Sequence, residues 1–205
     1  MSEAFIFGSR EWFETAKKKL QESEDLKKGS KDWVGCMRCI IDAEDEEAVK
    51  DYTTEDGIKA ITGMIGMLSV EDRLKFSDTG LGRLFDKLGV SLERDPDSEI
   101  PAEVMDKVKD LTLEDFRGVV IYASFEPHLG ELREMDPIAP DARLDAPFTI
   151  SGKYKFWKKL CSGQQSIIQL VMSGKMKLKG DIKYILKRMA AVNALMNTYK
   201  SIPLK

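Results

Sequence analysis

Apolar and polar positions alternate along the chain in two different periods. Trp12, Phe13, Ala16 and Leu20 share one face of a helix, lysines occupy the other, and Ser9 stands where it can cap the first turn. The pattern predicts a helix that runs to Gly29 and Ser30. "WVGCMRCII" (Trp33 to Ile41) reads as a strand, and the acidic run "DAEDEEAVKD" after it as a solvated turn or edge. From about Thr54 to Phe116 the period becomes helical: Ile58, Ile61, Ile65 and Leu68 share a face, Leu81, Leu84, Phe85 and Leu88 follow the i, i+3, i+4, i+7 rule, and Pro101 opens a further helix with Val104, Val108 and Leu111 inward. "ERDPDSEIP" is a loop between them. This block reads as a helical insertion lying on a sheet domain.

Strand chemistry returns with "RGVVIYASF" (Arg117 to Phe125), with "HLGELREM" as its hairpin partner, and with "FTISG" (Phe148 to Gly152). "KYKFWKKL" reads as a helix with Phe156, Trp157 and Leu160 inward. Ser162 to Gln165 has a capping-box pattern before "SIIQLVM", which Gly174 terminates. In "GKMKLKG" Met176 and Leu178 point one way and Lys175, Lys177 and Lys179 the other. A long last helix follows, with Ile182, Ile185, Leu186, Met189, Val192 and Met196 in one stripe, Tyr199 at its margin and Asn193 inside it. A buried amide needs a partner, either a neighbouring carbonyl or the polar head of a ligand. About five strands alternating with helices predict an α+β domain.

Composition narrows the function classes. The 205 residues carry a net charge of -3, which argues against a general nucleic-acid binder. No apolar run approaches the ~20 residues needed to span a bilayer, and the N-terminus lacks the basic region of a secretory signal. Three cysteines, Cys36, Cys39 and Cys161, form no disulfide framework, so a reducing cytoplasm is expected. "CMRC" has the spacing of half a zinc site or a redox pair, but only Cys161 and His128 remain as further ligands, in unrelated segments. Buried structural thiols are the simpler reading. "GLGRLFDKLG" lacks the glycine order and the preceding strand of a dinucleotide site, and "LEDF" and "EDEE" lack metal spacing. No metal, cofactor or catalytic group is expected.

The C-terminal stretch "FTISGKYKFWKKLCSGQQSIIQLVMSGKMKLKGDIKYILKRMAAVNALMNTYKSIP" resembles the C-terminal half of the sterol carrier protein type two (SCP-2) family, and looks most like its soluble prokaryotic branch. Trp157, Leu160, Gly163, Met172, Gly174, Lys175, Met176, Leu178, Gly180 and Asp181 stand at the matching places, and "KSIP" (Lys200 to Pro203) fits as well. The resemblance covers about the last 60 residues well and the first part of the chain less specifically. It implies a twisted five-stranded sheet covered on one face by helices, enclosing an apolar tunnel for fatty acyl, acyl-CoA, sterol-like or isoprenoid lipids, without covalent chemistry. The expectation is one SCP-2-like domain over 1–205 with a helical insertion at about 54–116 that caps the tunnel, fills it or forms a dimer surface. Pro203-Leu204-Lys205 is not a Ser-Lys-Leu-type address. The expected ligand wall is Trp157, Leu160, Val171, Met172, Met176, Leu178, Ile182, Ile185, Met189, Asn193 and Met196, rich in adaptable methionine. The expected partner is a lipid, with a transient membrane-surface contact and a homodimer left open. Two alternatives stand beside it: a regulatory or interaction module whose tunnel the insert fills, and an enzyme using Cys36 and Cys39.

Overall fold

A computed structural model of the chain describes residues 4–95 and 98–205. Part of the expected "ERDPDSEIP" loop, Pro96 and Asp97, lies outside the described residues, as does the start of the N-terminal stretch. The frame is a five-stranded sheet of β1 (Met37–Asp42), β2 (Val120–His128), β3 (Glu131–Pro137), β4 (Phe148–Lys153) and β5 (Met176–Lys179), in the order β3-β2-β1-β4-β5. β1 runs parallel to β4 and every other pairing is antiparallel. β2 and β3 form the expected hairpin, closed by Leu129 and Gly130, both with positive φ (51° and 92°). Two successive positive φ values match the right-handed twist of the flanking strands.

Register assigns every side chain to a face. Met37, Cys39 and Ile41 lie level with Phe125, Ala123 and Ile121 on one side of β1 and with Phe148, Ile150 and Gly152 on the other. Leu178 and Met176 extend these rows at the edge, opposite Ile150 and Gly152. All of these side chains share one face, and helices cover it. A Cβ on Gly152 would stand 2.9 Å from Met176 Cγ, so the glycine makes room for the methionine. Lys177 and Lys179 pair with Ser151 and Thr149 and point from the other face, as the alternation predicts.

The helical face carries α1 (Arg10–Glu22), α2 (Glu24–Gly29), α8 (Tyr154–Cys161), α9 (Ile167–Met172), α10 (Ile182–Leu186) and α11 (Met189–Lys200). An aromatic cluster joins α1, α8 and α11: the rings of Phe7, Trp12, Phe13, Tyr154 and Tyr199 meet in pairs at 5.0–5.4 Å. The ends of the chain are tied together, with Phe5 N–H donating to Pro203 O and Lys205 N–H to Phe5 O.

The remaining helices are α3 (Glu46–Tyr52), α4 (Glu55–Gly66), α5 (Val70–Leu74), α6 (Gly80–Leu88) and α7 (Ala102–Val108), with a 3-10 turn at Leu113–Phe116. α4 to the 3-10 turn form the expected helical block. It leaves and rejoins the sheet at the Asp42 and Val120 ends of β1 and β2, where Ala43 N–H donates to Val119 O. Tyr52 stacks on Phe116, and Phe76 packs against Tyr122 on the far face of the sheet. The glycines of "GLGRLFDKLG" serve packing: a Cβ on Gly80 would meet the Gly118 carbonyl at 2.2 Å.

Several sequence expectations are corrected. The first helix breaks at Ser23, whose side chain accepts from Leu26 N–H and caps α2. The acidic run is no solvated turn, because Asp45 caps α3, which buries Ala48 and Tyr52. β1 begins only at Met37, after Gly35 turns the chain at φ 102°. The capping box ahead of α9 is formed by Ser166 and Gln169, four residues later than expected. The long last helix is two helices. Arg188 lays its guanidinium 3.5 Å from the Tyr184 ring centroid and reaches the Asp32 carboxylate at 2.8 Å, while Val34 N–H donates to Tyr184 Oη at 2.6 Å. These ties to the segment before β1 interrupt the helix at Lys187 and Arg188 and shift the phase of everything after it.

Candidate functional site

Between the sheet and its helices lies an apolar cavity of about 70 Å³. Met37, Cys39, Phe125, Ile150 and Leu178 form its floor; Trp157 and Leu160 of α8, Ile167 of α9, Ile185 of α10 and Ala191, Val192, Leu195, Met196 and Tyr199 of α11 form its roof, with Trp33 beside them. The indoles present carbon surface, because Trp33 Nε1–H donates to Gly35 O and Trp157 Nε1–H to Ile40 O. A second cavity of about 40 Å³ continues inward and shares Cys39, Phe125, Trp157 and Tyr199 with the first. Its wall includes Trp12, whose buried Nε1–H has no hydrogen-bond partner among the described residues, and the Tyr199 phenol, whose hydroxyl meets only Met135 Sδ at 3.9 Å.

Of the eleven residues expected in the ligand wall, Trp157, Leu160, Leu178, Ile185 and Met196 line the main cavity. Met176 is buried but lies against Gly152 instead. Val171 and Met189 are half-buried and pack on the core outside the cavity. Met172 is 83% exposed, and Ile182 and Leu186 are exposed too. Asn193 is exposed, so its amide needs no buried partner. The interruption at Lys187–Arg188 explains this. A continuous 100° step from Ile182 centres the apolar stripe close to Asn193, whereas α11 has its own phase and turns Ala191, Val192, Leu195 and Tyr199 inward and Asn193 to solvent. The residues that periodicity misses, Met37, Cys39, Phe125 and Ile150, come from strands whose apolar alternation reads as ordinary core.

None of the residues lining the two cavities falls between 54 and 116. The main cavity lies toward the Met37 end of β1, the insert at its Asp42 end. The described part of the insert therefore adds no side chain to the wall of either cavity.

The thiols are held in their neutral form. Burial pushes Cys39 up to about 12, and Cys36 and Cys161 are also raised, chiefly by desolvation. This is opposite to the shift that activates a nucleophilic or redox cysteine. At pH 8 only about one Cys39 in ten thousand is ionised. Alkylation by iodoacetamide at that pH, followed by peptide mass spectrometry, should therefore label native Cys39 at least a hundredfold more slowly than the urea-unfolded chain. Rapid native labelling would contradict this.

A larger groove, about 720 Å³, opens beside α3 and α8 and is lined mainly by charged residues, among them Glu47, Asp51, Lys155 and Lys158. At its base Lys158 Nζ–H donates to Asp51 at 2.7 Å and to Glu47 at 3.0 Å, and Tyr154 Oη–H donates to the same Asp51 carboxylate at 2.8 Å. Burial alone would lower the Lys158 ammonium; its hydrogen bonds to Asp51 and Glu47 outweigh this and leave it raised. These paired charges tie α3 to α8, and they put ionised groups along the groove, where the cavity between the sheet and its helices has none. Among the described residues no group of His, Cys, Asp and Glu is placed to hold a metal ion, and no helix is long and apolar enough to cross a membrane.

An apolar space between a mixed five-stranded sheet and an aromatic-anchored layer of helices defines the class of α+β protein. The SCP-2 sterol transfer family matches residues 91–193, half of the chain, and the protein belongs to that family. Family membership carries lipid or sterol binding and transfer in general, in proteins that are generally not catalysts. Two solved structures share the fold. One is a conserved hypothetical protein from Thermus thermophilus, itself suggested to be a sterol carrier protein, with TM-score 0.56 and 15% identity over 100% of this chain and 94% of that one. The other is a sterol carrier protein 2, with TM-score 0.54 and 15% identity over 96% of this chain and 98% of that one. A comparison with curated proteins gives no match.

Proposed function

We propose that the protein binds a single-chain acyl lipid, tail inward, in the cavity between the sheet and α8–α11, and transfers it without covalent chemistry. The observation that carries this reading is the cavity itself: an apolar floor from four strands under a roof from four helices. Its size supports a slender ligand. Sites that enclose drug-sized molecules hold about 300–1,000 Å³, whereas this cavity and its inner neighbour hold about 70 and 40 Å³. A flexible chain can enter by side-chain rearrangement of the half-buried Leu195, Met196, Leu178 and Ile167. A rigid four-ring sterol needs the helices to separate. Each enclosed methylene contributes about 0.8 kcal/mol, so six supply about 5 kcal/mol before association costs.

Displacement of a fluorescent fatty acid tests the reading. Saturable binding is expected, with palmitate competing at least tenfold better than cholesterol. No binding of the probe would refute the site, and stronger competition by cholesterol would refute the ligand class.

A further inference from the structure

Five large apolar side chains are exposed around the edge strand β5. Ile168 and Met172, one turn apart, lie on the outer side of α9; Ile182 and Leu186, also one turn apart, lie on the outer side of α10; and Val34 adjoins Tyr184 of α10. Their neighbours Ile167 and Ile185 turn inward to the cavity, with Leu178 between them on β5. The exposed apolar surface and the cavity wall are therefore adjoining faces of the same two short helices.

The same segment concentrates positive charge. Between 166 and 188 stand Lys175, Lys177, Lys179, Lys183, Lys187 and Arg188 against a single acid, Asp181, in a chain of net charge -3. Lys177, Lys179, Lys183 and Lys187 are exposed and make no ion pair with any described residue. Asp181 is engaged as the cap of α10, accepting from Tyr184 N–H.

From this juxtaposition we infer that the β5 edge, with the outer faces of α9 and α10, is a docking surface for an anionic membrane, across which the acyl chain is exchanged. The inference rests on the lipid-binding reading of the adjacent cavity. Exposed apolar side chains bordered by lysines suit the headgroup boundary of a bilayer, where the apolar tips insert and the ammonium groups meet anionic lipid. A second copy of the chain would bring two surfaces of the same sign together. A nucleic acid would satisfy the lysines but leave the aliphatic tips in water.

Co-sedimentation with vesicles tests the inference. Wild-type protein should bind phosphatidylcholine vesicles containing 30% phosphatidylglycerol, at least tenfold more weakly pure phosphatidylcholine, and less as salt rises. Lys183→Glu with Lys187→Glu should reduce binding by at least tenfold, at on the order of fivefold per lysine removed. Met172→Asp with Ile182→Asp should reduce it similarly. These positions are exposed, so both variants should fold and keep fatty-acid binding in solution. Unchanged vesicle binding by both variants, or equal binding of neutral and anionic vesicles, overturns the docking surface. So does a wild-type dimer, seen by sedimentation equilibrium, that Met172→Asp with Ile182→Asp dissolves. Loss of fatty-acid binding in the wild type instead removes the cavity reading, which the solution assay detects without vesicles.

Discussion

Ile150→Trp should cost the protein at least a hundredfold in fatty-acid affinity while leaving it folded. Ile150 is 3% exposed and projects from the paired strand β4 into the main cavity, level with Cys39 and Leu178. Strands accept aromatic residues readily. The added ring atoms have space to enter that the wild-type core leaves free, so the stability loss should be at the lower end of the roughly 1–3 kcal/mol typical of overpacking. Those atoms occupy the volume in which about four methylenes of a ligand would lie. At about 0.8 kcal/mol each, their exclusion removes ~3 kcal/mol, more than a hundredfold in Kd. Fluorescent fatty-acid titration measures the affinity, and near-ultraviolet circular dichroism checks that the core remains ordered. Unchanged affinity in a folded variant would place the ligand elsewhere.

Lys158→Met should lower stability by about 3 kcal/mol. The Lys158 side chain is 15% exposed and that of Asp51 9%. Removing the ammonium leaves the Asp51 carboxylate with the Tyr154 hydroxyl and little water, the situation in which breaking a buried pair costs about 3–5 kcal/mol. For a chain of this size the midpoint of thermal unfolding should fall by about 6–12 °C. The deficit should also depend on pH. Lys158 is raised in the folded state, so its contribution is complete below the ordinary lysine pKa and is lost as pH rises through the folded value. Glu47 is lowered, chiefly by its hydrogen bond to Lys158, so its contribution is complete above the ordinary carboxylate range and is lost as pH falls through the folded value. The gap between wild type and variant should be constant between about pH 6 and 9 and narrow on both sides. Urea unfolding across that range measures it, and a gap that widens in acid would contradict the assignment.

The sheet is largely legible in the sequence because its determinants are local. Alternation marks the strands, Gly174 with φ 69° ends α9 where expected, and "HLGELREM" turns back on β2. The division of the last helix is not legible. Lys187 and Arg188 are good helix formers, and what interrupts the helix is the tie from Arg188 and Tyr184 to Asp32 and Val34, about 150 residues earlier. The cavity floor is hidden for a related reason. Ile150 and Cys39 are recognisably apolar strand residues, but only the pairing of β1 with β4 across more than a hundred positions puts them side by side, in one row with Leu178. Periodicity identifies an inward face, and register decides which inward residues border empty space.

The helical insert stands at the Asp42 end of β1, and the cavity begins at its Met37 end. The two are joined through the central strands and through α1, which packs against α4 of the insert and lines the inner cavity with Trp12 and Phe13. Any effect that a grip on the insert had on cargo would pass through these shared supports, and by thermodynamic reciprocity the cargo would affect that grip equally. The insert and the two cavities thus draw on different residues of one fold, with α1 as the helix between them.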